Sequence, residues 1–175
     1  MKTENHLIRD ERDSDAVAIS DVTIAAFATM AISDHTEQFV IEALRKAKAL
    51  TISLVAEIDG RIVGHIAFSP VEMSDGTLNW YALGPVSVHP DFQRTGIGKA
   101  LISEGLSRLK SIGARGCCLV GHPTYYGQFG FENLEGLFYE GVPKEAFFAL
   151  SFDGHMPLGH VTFHEGFEAT GKSED

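Results

Sequence analysis

Residues 78–120 read in order as a strand, a loop with two glycines, a helix and a second strand, and few topologies accept that order. The first strand, 78–88, stops at His89-Pro90, because proline brings no N–H to a ladder. Over 96–112, Ile97, Leu101, Leu106, Leu109 and Ile112 make an apolar stripe. Lys99, Ser103, Arg108 and Lys110 take the other faces, and Gly113 supplies a stop. Residues 115–120 are short and apolar, as in a buried strand. Two strands joined through a helix pair in parallel, so one parallel step is expected in the sheet.

The rest of the chain surrounds that unit. Residues 52–58 and 62–68 are β-rich and flank Asp59-Gly60, the dipeptide of a type I′ hairpin. With a turn at Ser74-Asp75-Gly76 they precede 78–88 as a meander. Upstream, 14–30 puts Val17, Ile24, Phe27 and Ala28 near helical spacing, with Asp13 or Ser14 as N-cap. A second helix over 34–48 carries Phe39, Val40, Ala43, Leu44 and Ala47 opposite Glu37, Glu42, Arg45 and Lys46. Downstream, 123–129 suits a short helix, and 147–152 and 160–163 suit late strands. No repeat or linker interrupts 175 residues, so a single domain over 1–170 and a polar tail over 171–175 are expected.

Composition removes several classes of function. Lys and Arg number 14 against 24 Asp and Glu, a net charge of −10, which opposes broad binding to nucleic acid or anionic membrane. Residues 1–6 lack the pattern of a signal peptide, and no apolar run is long enough to span a bilayer. The two cysteines, Cys117 and Cys118, are neighbours and supply no disulfide framework, which fits a reducing cytoplasm. They alternate across a strand, so one is expected in the core. His155, His160 and His164 invite a zinc reading, but His160 and His164 would stand two steps apart on one strand face, too far to share an ion, so no metal is expected.

The chemistry concentrates at Gln93-Arg94-Thr95-Gly96-Ile97-Gly98-Lys99, at the entrance to the helix. Unpaired N–H groups and the positive end of the helix dipole make such a place an anion site, and glycines let the ligand approach the backbone. Arg94 and Lys99 add charge, with no acidic residue between Asp91 and Glu104. A Walker loop would need glycine at Gln93 and Ser or Thr at Ala100. A dinucleotide fingerprint would need glycine at Leu101 and a strand near the chain start. Neither pattern fits.

The spacing Gln93-x-x-Gly96-x-Gly98, entered from Val86-Ser87-Val88, resembles the signature of the GNAT superfamily of acetyl-CoA-dependent N-acetyltransferases. Tyr126, four residues before Gly130-Phe131, resembles the family's second element, and the likeness covers residues 7–131. It implies an α/β fold with a mixed, mainly antiparallel sheet, a V-shaped opening between two central strands and helices on both faces. It also implies that Val86, Ser87 and Val88 form an edge for pantetheine, and that Gln93, Arg94, Thr95, Gly96, Ile97, Gly98 and Lys99 cradle the CoA pyrophosphate.

By the same resemblance, the expected reaction moves acetyl from acetyl-CoA to a primary amine by direct attack, with no acyl-enzyme. Tyr126 would protonate the leaving thiolate, and the backbone N–H of Val88 or a neighbour would hold the oxyanion. Many relatives carry a carboxylate base on the pantetheine strand, where this chain has Leu83-Gly84-Pro85. His122, Glu72 and His65 are the candidate bases, beside a water chain. That missing carboxylate also keeps open a sensor that binds CoA or acyl-CoA without catalysis. The acceptor is a small-molecule or protein amine, with cations favoured by the acidic net charge, and the protein is expected as a monomer or homodimer.

Overall fold

The computed structural model describes residues 5–172. Part of the N-terminal stretch, residues 1–4, and the end of the polar tail, 173–175, lie outside the described residues. The main sheet is built from β1 (Leu7–Asp10), β2 (Ile52–Ile58), β3 (Arg61–Pro70), β5 (Trp80–Val88), β6 (Gly116–Val120) and β8 (Phe147–Ser151), paired in that order. Every step is antiparallel except β5 with β6, which is parallel as the helical crossover requires. A small second sheet joins β4 (Glu72–Met73), β9 (Gly159–Thr162) and β7 (Leu137–Phe138).

Helices cover both faces of the main sheet. On one side α3 (Ile97–Ser111) presses Ile97 and Leu101 against Gly64 of β3. On the other, Ile19 of α1 (Ala16–Phe27) and Ile41 of α2 (Glu37–Lys46) enclose Val55. The hairpin between β2 and β3 turns at Asp59 and Gly60, with φ of 48° and 79°, the left-handed pair of a type I′ turn. No helix among the described residues is long and apolar enough to cross a membrane.

The sequence periodicity misassigns one helix face. In α1 the buried residues are Ile19, Val22, Thr23 and Ala26, whereas Val17 is 74% exposed and Ile24 48% exposed. This helix is apolar nearly all round, so spacing alone does not choose its inner face. In α3, Ile102 and Gly105 join the buried side and Ile112 lies outside it. Both cysteines are fully buried rather than one, because the sheet is covered twice: Cys117 packs in the main core and Cys118 under the small sheet with Trp80 and Val161. His164 falls beyond the end of β9, so it does not share a strand face with His160.

Gly105 sets how closely α3 approaches the sheet, since a Cβ there would lie 2.3 Å from the Phe68 ring. Alanine normally gains about 1 kcal/mol over glycine inside a helix, but overpacking a core costs about 1–3 kcal/mol. Gly105→Ala is therefore expected to lower the urea midpoint without changing the slope. A stabilised variant would show that α3 moves off the sheet freely.

Candidate functional site

The two central strands separate in the middle of the sheet. β5 and β6 pair only through Trp80, Tyr81 and Ala82 against Gly116, Cys117 and Cys118. Beyond Ala82, β5 stays with β3 while β6 stays with β8. The parting coincides with a bulge: Leu83 faces Phe68 and Val86 faces Ile66, so Gly84 and Pro85 together span one residue of β3. Gly84 sits at φ 137°, where an L side chain is strained, and Pro85 has no N–H to offer.

Register then fixes which backbone groups face the opening. The N–H of His89 donates to Val63 O at 2.8 Å, so the bonded pairs of this ladder run 89 with 63 and 87 with 65. Val86 and Val88 form the alternate pairs and point their N–H and C=O groups away from β3, into the split. The Gln93 side chain occupies one of them, donating from Nε2 to Val88 O at 3.0 Å. Among the described residues, Val88 N–H and both groups of Val86 remain open. Ser87 belongs to the bonded pair and turns its side chain to Thr23 under α1.

The loop after β5 continues this row of free donors. Arg94 at φ 63° and Gly96 at φ 91° are left-handed, and such alternation turns successive N–H groups towards one side. Among the described residues, the N–H groups of Arg94, Thr95, Gly96, Ile97, Gly98 and Lys99 have no partner, and the helical ladder begins with Ala100 N–H to Gly96 O at 3.0 Å. Thr95 Oγ1 donates back to Phe92 O at 2.5 Å and holds the loop. Ile97 is buried and anchors the first turn, while Arg94 and Lys99 are exposed and in no ion pair among the described residues.

From the β6 side comes a short 3₁₀ turn, Tyr126–Phe129. Tyr126 leans inward against Phe131 and Phe148, at centroid distances of 6.1 and 6.3 Å. Burial pushes its phenol up to about 12, with the neighbouring Tyr125 adding to the effect. Gly121 at the end of β6 makes room for this ring, since a Cβ there would lie 2.3 Å from it. Sequence reasoning missed Gly121 and the bulge at Gly84, because a close approach between distant residues leaves no local pattern.

The candidate bases are dispersed. His122 is exposed in the turn after β6, with its Nδ1 3.0 Å from Thr124 Oγ1 and 3.4 Å from Thr124 N. Glu72 lies on β4 and lines a cleft of about 440 Å³ with Phe163, His164, Glu165 and Glu168. His65 is fully buried beneath α1, with Nε2 2.8 Å from Ser53 Oγ. Ser53 gives its one proton to Glu11, so Nε2 of His65 is the donor and Nδ1 is a bare acceptor with no partner among the described residues. Burial, aided by Arg45, pulls this imidazole down to about 3, too weak a base for an ammonium ion.

That depression makes His65 a stability sensor. Its folded pKa lies below the ordinary 6.5, so unfolded chains bind the extra proton and stability falls as pH drops from 6.5 towards 3. The expected slope in that window from this group is about 1.4 kcal/mol per pH unit. Unfolding titrations of the parent and His65→Gln should differ in slope by that amount between pH 6 and 5, and parallel profiles would contradict the assignment.

Comparison with known proteins agrees with this geometry. Residues 8–134 match the family described as Acetyltransferase (GNAT) domain. Uncharacterized N-acetyltransferase YhbS of Escherichia coli K12 is 34% identical over 127 residues, covering 72% of this chain and 73% of that protein. A crystal structure of a GNAT family acetyltransferase from Brucella melitensis in complex with acetyl-CoA superposes with a TM-score of 0.84 at 48% identity, covering 94% of this chain and 99% of that one. The Escherichia coli YhbS structure in complex with CoA gives 0.83 at 30% identity, covering 93% and 92%.

Proposed function

Because the chain belongs to the GNAT acetyltransferase family, we propose that it transfers an acetyl group from acetyl-CoA to a primary amine by direct attack in a ternary complex. One juxtaposition carries the reading: the open N–H of Val88 and the open N–H and C=O of Val86 adjoin the unpaired N–H row of residues 94–99. A diphosphate suits the row, where backbone donors, the helix dipole, Arg94 and Lys99 all favour an anion. A pantetheine arm carries amides that pair with an open strand edge as a short added strand would. The acetyl-CoA and CoA held by the two similar crystal structures support the same choice of ligand.

In the reaction, the neutral amine nitrogen attacks the thioester carbonyl. The C–N bond forms, charge gathers on oxygen, and the C–S bond then breaks. Val88 N–H, or the deeper N–H of Val86, donates to the oxyanion, since both face the split and neither has a partner on β3. Tyr126 supplies the proton to the leaving sulfur, and with its phenol held near 12 it is fully protonated at neutral pH. The proton lost by the amine leaves through water in the open split. The acidic net charge favours a cationic acceptor by steering. Two free, buried thiols suit a reducing cytoplasm.

Calorimetric titration with acetyl-CoA, CoA and ATP tests the premise. Both CoA forms are expected to bind more tightly than ATP, and Gly96→Glu, which puts a strained carboxylate into the cradle, is expected to abolish binding. A parent protein that binds no CoA would overturn the reading. Tyr126→Phe, followed by thiol release with a cationic amine, is expected to lower kcat about 100-fold with little change in the KM for acetyl-CoA. Unchanged turnover would remove Tyr126 from the chemistry.

A further inference from the structure

Tyr125 is an aromatic at the mouth of the split that the proposed chemistry does not use. Tyr125 directly precedes the 3₁₀ turn that carries Tyr126. The Tyr125 ring stands edge-on to Tyr126 and Phe129, with centroids 5.0 and 5.7 Å away. From there it reaches across to the opposite wall. The position a Cβ on Gly98 would take is 3.6 Å from Tyr125 Oη and 3.6 Å from Val88 Cγ2. A side chain rooted beyond β6 thus ends beside the first turn of α3, at the row of free N–H groups.

The main chain of Tyr125 is tied in place, its N–H donating to His122 O at 3.3 Å and its C=O accepting from Gln128 Nε2 at 2.9 Å. Its hydroxyl, in contrast, has no hydrogen-bond partner among the described residues. Partial burial raises its pKa above the ordinary phenol value, which keeps the group a neutral donor. The hydroxyl sits between two places that the proposed function fills, the diphosphate cradle and the strand edge at Val88.

We propose that Tyr125 is a second cosubstrate-binding tyrosine, whose O–H donates to the diphosphate at the first turn of α3 and whose ring covers the pantetheine arm as it passes Val88. The inference rests on the placement of CoA in the split given above. The adjacent tyrosines then have separate roles, Tyr126 delivering a proton to sulfur and Tyr125 holding the cosubstrate. A hydrogen bond to a charged acceptor is among the stronger ones, so its loss is expected to weaken CoA binding roughly tenfold.

The test is Tyr125→Phe, which keeps the ring and removes the hydroxyl, compared with Tyr125→Leu, which removes both. Calorimetry with CoA should show roughly tenfold weaker binding for Tyr125→Phe and a further loss for Tyr125→Leu. In turnover, Tyr125→Phe should raise the KM for acetyl-CoA at unchanged kcat, the reverse of Tyr126→Phe. With S-acetylpantetheine as donor, which has no diphosphate, kcat/KM should be equal for parent and Tyr125→Phe. Parent-like CoA binding by Tyr125→Phe, a loss in kcat instead of KM, or an equal penalty with S-acetylpantetheine would each overturn the proposal. A parent protein that binds no CoA would instead overturn the proposed function.

Discussion

The separation of β5 from β6 beyond Ala82 and Cys118 is the constraint on which the site depends. A sheet ordinarily consumes its own hydrogen-bonding groups, and an unpaired one in the interior is costly. Here the bulge at Gly84-Pro85 ends pairing on one side of β5 while the ladder to β3 continues on the other. The N–H of Val88 and both main-chain groups of Val86 are thereby left free for the proposed cosubstrate, Val88 C=O being taken by Gln93. Because β5 runs directly into the loop that opens α3, strand donors and helix-terminus donors follow one another along a single path. The crossover helix that creates the parallel step also supplies the free N–H groups of the proposed anion site.

Support for this opening comes from two differently built layers. On the α3 face the contact is tight and apolar, with Gly64 and Gly105 letting Leu101 and Phe68 pack close. On the α1 face a polar line runs from Arg45 through Glu11 and Ser53 to His65, where it stops at a bare nitrogen. Such a line costs stability unless it is satisfied, and it lies under the strands that carry the site. Its tautomer follows from counting protons: Ser53 has one, and Glu11 takes it.

Much of this architecture is legible in the sequence because its signals are local. Asp59-Gly60 dictates the hairpin, the strand, loop, helix and strand order dictates the parallel step, and Gln93, Gly96 and Gly98 mark the loop that opens α3. What escapes is set by partners distant in sequence. The inner face of α1 is ambiguous because Val17 and Ile24 are as apolar as Ile19 and Val22, and only the sheet selects between them. Cys118 is covered by a small sheet formed from three widely separated strands. Gly121 looks like an ordinary turn residue until the Tyr126 ring lies against it. Tyr125 reads as a packing neighbour of Tyr126 until its hydroxyl is found beside Gly98.

Main-chain ligation also decides how the site responds to heritable change. In the proposed site Val86 and Val88 offer groups that every residue but proline possesses, so exchanges among β-branched residues there would leave the ligand's hydrogen bonds in place. Loss by a single codon change is concentrated at positions where no side chain is tolerated: Gly84 and Gly96 through their left-handed backbone, and Gly121 through its contact with the tyrosine ring. With CoA placed as proposed, a lineage could drift widely in the residues lining this split while substitutions at these three glycines would be the damaging ones.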